Sequence, residues 1–263
     1  MPKIFNNNIL NFFSFVILTL ISLAFLDNIP SILDSYQPDS SGYIQFNPYR
    51  KSLYPYFIKI VDFLNFDILF IQRLIFSLSI IFLFFCLVNY GLKMYLGLIF
   101  LIFIFSNLYY VSYTGTILTE SLFFSAINFF AGLMIINKHR DNLLLVFLGI
   151  LLGIIWSLKS IGPVITVITL IYIFFFQKSK INIRNLFSLI LPLLVIIILE
   201  SFLFFKHHDD RKSVFYNVVI GKVFLTSGKN SFKIDNYPTK FHNVLKTSKS
   251  YYTDVNNFLI NIK

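Results

Sequence analysis

The stretch ILFIQRLIFSLSIIFLFFCLV, residues Ile68–Val88, is apolar apart from a few small side chains and the pair Gln72-Arg73. A helix of roughly 20 mostly apolar residues is what crosses the hydrocarbon core of a bilayer. The whole chain has this character, because 57% of its 263 residues are hydrophobic and only 13% are charged. A soluble domain of this size could not bury so much apolar surface, so we predict an integral membrane protein.

Six further apolar runs accompany this one. Backbone polar groups in hydrocarbon must be satisfied within their own segment, so we predict that all the runs are helices. The protein is then all-α, with about seven transmembrane helices. The two short runs on either side of Lys159-Ser160 are either two tilted spans or a re-entrant pair. The predicted helices are Ile9–Leu26, Ile68–Val88, Met94–Tyr113, Thr116–Ile136, Leu143–Leu158, Ile161–Phe176 and Leu186–Phe205.

The basic residues of the short loops predict the orientation, because they concentrate on the cytoplasmic side of a membrane. With a cytoplasmic amino terminus, the loops near residues 93, 138–141 and 178–184 lie inside and are strongly basic. Residues 27–67 then form a long outer loop rich in acids, and residues 206–263 form a polar outer tail. The first run lacks a small-residue cleavage site, so we expect an uncleaved first helix. The predicted location is a bacterial inner membrane.

Two compositional features exclude other classes of function. The single cysteine, Cys86, lies in an apolar run, which excludes an intrachain disulfide and a cysteine-built metal site. The net charge of +10 is spread over short loops and the tail without a dense basic arm. We therefore expect membrane lipid or a phosphate-bearing substrate as the partner, and no nucleic acid.

Several acids are predicted to lie at the outer membrane face. Asp34 and Asp39 follow the first helix, and Glu120 lies near the start of the fourth, so a bundle can bring them together. The simpler interpretation of Asp34 and Asp39 is a solvated loop acid. For Glu120 it is an acid at a helix amino terminus, where the helix dipole favours negative charge.

Other polar residues at the same face also have two interpretations. Arg73 must either snorkel to the interface or pair with an outer acid. Lys159 could hold a lipid phosphate or simply anchor its turn at the interface. Tyr43 and Tyr54 are either interfacial aromatics or ligands.

The end of the last predicted helix carries two more candidates. Glu200 is an intramembrane carboxylate, which is a functional candidate unless it merely reaches water. His207 begins the sequence His-His-Asp-Asp, which could bind a metal but lacks a recognised zinc-ligand spacing.

The order of these motifs resembles the polytopic GT-C glycosyltransferases that use lipid-phosphate sugars, in particular protein mannosyltransferases and the aminoarabinose transferases of lipid A. Asp39-Ser-Ser-Gly-Tyr43 is similar to the family's acidic motif in the first outer loop, with Ser40 where the family commonly has a second acid. Arg50 with Leu53-Tyr54-Pro55 is similar to the segment that follows. Leu118-Thr119-Glu120 is similar to the second acidic position.

The resemblance implies a GT-C-like amino-terminal bundle and inverting transfer of a sugar from a polyprenyl-phosphate donor to an acceptor on the outer face. It implies Asp39 as general base, with Glu120 positioning it or sharing a divalent cation, Mg or Mn, with it. Lys159, where the family usually has arginine, or Arg73 would stabilise the leaving phosphate. The remaining candidates for substrate binding are Asp34, Tyr43, Arg50, Tyr54, Glu200 and His207.

Members of that family are usually longer, so we expect a truncated or split member, with a possible partner subunit that supplies further helices. Two alternatives stay open. One is a non-enzymatic transporter or flippase-like subunit of envelope polysaccharide assembly, and the other is an inactive family member. A transporter is expected to carry charges deep in its spans and helices broken near the midplane. Here the ionisable residues lie mainly at the outer ends, which favours an enzyme.

Overall fold

A computed structural model of the chain describes residues 8–28, 33–48, 50–136, 142–176 and 183–208. These residues belong to one compact unit, Met1–Asp209. They are helical and include no strand, which confirms the all-α class. The predicted outer tail lies outside the described residues except for its first three. The helices are α1 (Asn8–Asn28), α2 (Ser40–Ile44), α3 (Leu53–Phe63), α4 (Ile68–Tyr90), α5 (Met94–Ser106), α6 (Leu108–Ser112), α7 (Glu120–Ile136), α8 (Asn142–Leu158), α9 (Gly162–Phe176) and α10 (Ile183–Phe205), with a 3-10 turn at Tyr113–Gly115.

Helices long and apolar enough to cross a membrane are present. In the part of the chain that the structure describes, α4 and α10 meet this criterion, and the bent pair of α5 and α6 adds a third if it counts as one span. The helices α1, α7, α8 and α9 are apolar but shorter. These helices fit the predicted integral membrane protein by length and composition, and seven crossings stay a prediction.

Each of the seven predicted runs is helical, but two of them differ in extent. The run Met94–Tyr113 is broken at Asn107, where α5 and the following short helices meet at an angle of 66°. The side chain of Asn107 accepts a hydrogen bond from the backbone N–H of Tyr110 at 3.0 Å and so starts a new helix. The predicted helix Thr116–Ile136 begins only at Glu120.

Residues 116–119 stay non-helical because other parts of the fold satisfy their backbone. The N–H of Ile117 donates to the carbonyl of Ser35 at 3.0 Å. The carbonyl of Thr116 accepts from the side chain of Gln72 at 2.8 Å. Both Thr116 and Thr119 are completely buried. Irregular backbone inside a membrane protein is tolerated only where other parts of the protein cover it, as they do here.

The predicted outer loop contains two helices that the apolar runs did not indicate. The short α2 follows Asp39, and α3 carries Pro55 in its first turn, where the missing N–H costs nothing. One face of α3 buries Tyr54, Pro55 and Val61. Through that face α3 packs against α4 and α8.

The most extensive helix pairing joins α8 to α10. It depends on two glycines one turn apart, because a Cβ at Gly149 would collide with the carbonyl oxygen of Leu189, and one at Gly153 with the side chain of Ile196. Small residues four apart let helix backbones approach closely, as is typical of membrane helices. A second extensive pairing joins α4 to α7.

Candidate functional site

The candidate site residues lie at one end of the helical unit, which we name the loop end. Here α1 ends at Asn28, α4 and α7 begin, and α8 and α10 end. The loop before α4 is tied down at this end by Ser40, which is fully buried. Its hydroxyl donates to the carbonyl of Ile117 at 2.9 Å and accepts from the backbone N–H of Gln37 at 2.9 Å. The small serine hydroxyl suits this position. The second acid that the resembled family commonly has here would bury its carboxylate.

Asp39 forms an ion pair with Arg50. The contact joins Oδ1 of Asp39 to one guanidinium nitrogen, and 58% of the Asp39 side chain remains exposed. The guanidinium also lies 5.0 Å from the centre of the Tyr43 ring, within the range of a cation–π interaction. Asp39 is therefore a solvent-accessible carboxylate held in place by an arginine that is itself held by an aromatic ring.

Glu120 forms a second ion pair, with Lys159. The distance from Nζ of Lys159 to Oε1 of Glu120 is 2.6 Å, and both side chains are mostly buried. Glu120 begins α7 and also accepts from the hydroxyl of Thr119 at 3.3 Å. The ammonium lies 5.8 Å from the centre of the Phe123 ring. The sequence predicted Lys159 as either a phosphate ligand or an interfacial anchor. The structure adds a third role, in which Lys159 neutralises a partly buried acid.

The rings of Tyr43 and Tyr54 pack against each other in the same buried apolar cluster as Phe123. Their centres are 5.1 Å apart in an edge-to-face arrangement. Tyr43 contacts Arg50, whereas Tyr54 is fully buried and donates its hydroxyl to Oε1 of Gln72. Burial raises the pKa of Tyr54 well above its usual value, and the nearby charges of Tyr43 and Glu120 raise it further. Tyr54 is therefore a neutral hydrogen-bond donor at any physiological pH.

The structure thus places six of the predicted residues around one buried apolar cluster at the loop end. Each of the two acids faces its own cation, and no direct contact joins them. A common pocket for Asp39 and Glu120 stays a prediction. The six residues are Asp39, Tyr43, Arg50, Tyr54, Glu120 and Lys159.

Two other predicted residues lie apart from this group. Arg73 forms an ion pair with Asp27 at the end of α1. Asp34 is exposed, and its backbone carbonyl accepts from the side chain of Gln37 at 3.0 Å. Neither residue contacts the tyrosine pair.

Glu200 is 2% exposed and joins α10 to the loop. Its Oε1 accepts from the backbone N–H of Ser52 at 3.0 Å and from the Ser52 hydroxyl at 3.1 Å. The same hydroxyl lies 2.7 Å from the backbone carbonyl of Glu200. Ser52 precedes Tyr54 by two residues and follows Arg50 by two, so Glu200 holds the segment that carries both side chains.

His207 lies beyond the end of α10 and contacts the loop from another side. Its Nε2 is 2.9 Å from the hydroxyl of Tyr56, and its ring stacks 4.4 Å from that of Phe46. Partial desolvation and the positive charges of Lys59, Lys206 and His208 lower the pKa of His207. Its neutral form therefore predominates at neutral pH, and its role in this structure is contact with the loop.

A divalent cation does not suit these carboxylates as they are placed. Among the described residues, no group of three or more His, Cys, Asp or Glu side chains is positioned to hold a metal ion. A cation shared by Asp39 and Glu120 would have to displace both Arg50 and Lys159. The two aspartates that complete the His-His-Asp-Asp sequence lie outside the described residues.

Three residues that hold the loop end together were not predicted from the sequence: Ser52, Gln72 and Thr116. Gln72 gave a signal, because an amide inside an otherwise apolar run needs partners in the bundle. Ser52 and Thr116 gave none, since a serine or threonine beside a membrane helix is ordinary.

The chain matches no protein-family model, no curated protein and no solved structure. The resemblance to GT-C glycosyltransferases therefore rests on the residues quoted for it.

Proposed function

We propose that the chain is a membrane glycosyltransferase that moves a sugar from a polyprenyl-phosphate donor to an acceptor on the outer face of the membrane, with inversion. The observation that carries this proposal is one buried cluster with Tyr43, Tyr54 and Phe123, which contacts both an accessible acid–arginine pair and a mostly buried acid–lysine pair at one end of the bundle. An exposed base and a separate shielded cation are the two groups that this transfer needs.

The proposed topology has seven crossings with the amino terminus in the cytoplasm. This arrangement follows the basic residues of the inner loops, and it puts the loop end at the outer face. A lipid-linked donor then has its phosphate at the level of the loop end and its chain in the bilayer beside the helices.

Asp39 is the proposed general base. The ion pair with Arg50 is made through Oδ1, and Oδ2 is the oxygen proposed to take the proton from the acceptor hydroxyl. The acceptor oxygen then bonds to the anomeric carbon on the face opposite the phosphate, the bond from that carbon to the phosphate oxygen breaks, and polyprenyl phosphate leaves.

Lys159 is the proposed partner of the leaving phosphate. A cation at that place stabilises the negative charge that develops as the bond breaks. Glu120 holds the ammonium in position at 2.6 Å in a partly buried setting, where charge interactions are stronger than in water. No step is assigned to a divalent cation.

Replacement of the base tests the proposal. With polyprenyl-phosphate mannose and polyprenyl-phosphate aminoarabinose as donor probes, we expect Asp39→Asn to lower the rate of transfer by about 100-fold or more, since an amide cannot take the proton. Asp62→Asn, an exposed acid of the same loop, is the matched control and should transfer at the wild-type rate. Full turnover by Asp39→Asn would remove Asp39 as base. Lipid movement without transfer in both variants would favour the transporter instead.

A further inference from the structure

The turn between α3 and α4 presents a cluster of large apolar side chains to the outside. We name it the α3–α4 corner, and it consists of Ile60, Phe63, Leu64 and Phe66. Phe63 is 84% exposed, and each of the other three is more than half exposed. Clustered apolar exposure of this kind marks a surface that contacts another apolar phase.

The corner is a rigid feature of the fold. At the end of α3 the N–H of Phe66 bonds to the carbonyl of Val61 at 3.1 Å, and that of Asn65 to the carbonyl of Asp62 at 2.9 Å. Asn65 has a φ of 56°, in the left-handed region. This combination is a Schellman motif, in which the turn closes the helix with its own hydrogen bonds. The apolar side chains are thus held outward by a fully bonded backbone.

The opposite face of α3 explains why these side chains point outward. Tyr54, Pro55 and Val61 are buried beneath the helix, against α4 and α8. Helices that lie in the membrane interface bury apolar side chains at the boundary of headgroups and acyl chains, and the corner presents four such side chains on the side away from the protein.

The corner adjoins the candidate span α4, and this position indicates that the bilayer is what covers the corner. The candidate span α4 begins at Ile68, two residues after Phe66, and its first turn exposes Phe70. Exposed apolar side chains therefore stand on both sides of the start of a helix long enough to cross a membrane, Phe66 before it and Phe70 in its first turn. The polar side chains of Asp62 and Asp67 stand within the same turn and can reach the headgroups.

We propose that the α3–α4 corner inserts into the boundary between headgroups and acyl chains of the bilayer and anchors the loop of residues 33–67 to the membrane surface. This inference does not depend on the proposed glycosyl transfer. With the corner inserted, α3 lies in the membrane surface, and it does not stand in the water above the bilayer.

Tryptophan fluorescence tests the inference in the full chain, reconstituted into vesicles of phosphatidylcholine and phosphatidylglycerol. The natural tryptophan is single, so Trp156→Phe removes the background. Phe63→Trp and Phe66→Trp report on the corner, and both sites are open enough to accept the larger ring. Leu194→Trp, on the exposed side of α10, is the reference for the bilayer interior.

We expect both corner reporters to be quenched by lipids brominated near the headgroups and to emit at shorter wavelength than tryptophan in water. The Leu194→Trp reporter should be quenched best by lipids brominated deep in the acyl chain. Strong quenching of the corner by aqueous iodide would overturn the inference. Protection from both iodide and brominated lipid would also overturn it, because a second copy or another segment of protein would then cover the corner.

Discussion

At the residue scale, the most informative side chain is Glu200, whose partner lies 148 residues away. A carboxylate inside an apolar helix is expected to serve a function, and here it accepts two hydrogen bonds from Ser52. These bonds fix the segment between Arg50 and Tyr54. Glu200 is therefore a positioning residue in this structure, whereas substrate binding by Glu200 stays a prediction.

Two substitutions at Glu200 separate anchoring from charge. Glu200→Ala leaves the buried N–H of Ser52 without this acceptor, which we expect to cost about 1–3 kcal/mol of unfolding free energy, while the Ser52 hydroxyl keeps its bond to the backbone carbonyl of residue 200. Glu200→Gln keeps a carbonyl oxygen at the same place and should cost distinctly less. Unfolding in detergent micelles, followed by circular dichroism, measures both. Equal stability of Glu200→Ala and the wild type would contradict the anchoring role.

The residue types that carry charge at the loop end could be predicted from the sequence, but their partners could not. Asp39, Arg50, Glu120 and Lys159 are recognisable as polar residues between apolar runs. Glu120 and Lys159 are 39 residues apart, and their contact depends on how α7 and α8 pack. Spacing along the chain contains no information about that distance.

At the element scale, the pairing of α8 with α10 depends on backbone contact at Gly149. The neighbouring atom is a carbonyl oxygen of Leu189, which cannot move without shifting the helix. At Gly132 on α7 the nearest atoms belong to the side-chain ring of Phe82, which can rotate away. Gly149 and Gly132 can therefore serve as test and control for the same substitution to alanine.

We expect Gly149→Ala to destabilise the protein by about 3 kcal/mol or more, because overpacking against backbone cannot relax. Gly132→Ala should change the stability by less than about 1 kcal/mol, since the higher helix propensity of alanine offsets the displaced ring. Unfolding midpoints measured in detergent compare the stabilities of the two variants. A Gly149→Ala variant as stable as the wild type would contradict the close approach of α8 and α10.

Helices that cross hydrocarbon were predictable because each must satisfy its own backbone, so the apolar run alone predicts the helix. The break at Asn107 and the irregular residues 116–119 were not, because their backbone groups bond to the Asn107 side chain, to Gln72 and to Ser35. The same holds for α3, whose apolar residues are split between a buried and an exposed face.

At the scale of the whole molecule, the number and direction of membrane crossings decide whether the loop end faces outward. Cysteine labelling in intact cells tests this. In a Cys86→Ser background, single cysteines at Ser35 and Ser160 should react with a membrane-impermeant maleimide, whereas those at Lys138 and Lys180 should react only after permeabilisation. Protection of the Ser160 cysteine together with the Lys138 cysteine would show that α8 and α9 form a re-entrant pair.

The sequence by itself determined that the chain is all-helical and has the apolar runs of a membrane protein. This conclusion follows from a local rule, because hydrocarbon excludes polar groups residue by residue. Only the tertiary structure decided which charges neutralise each other, that Tyr54 is buried, and that Glu200 holds the loop. These contacts join helices distant in the chain, and their formation depends on the fit of whole helix faces, such as the close approach at Gly149.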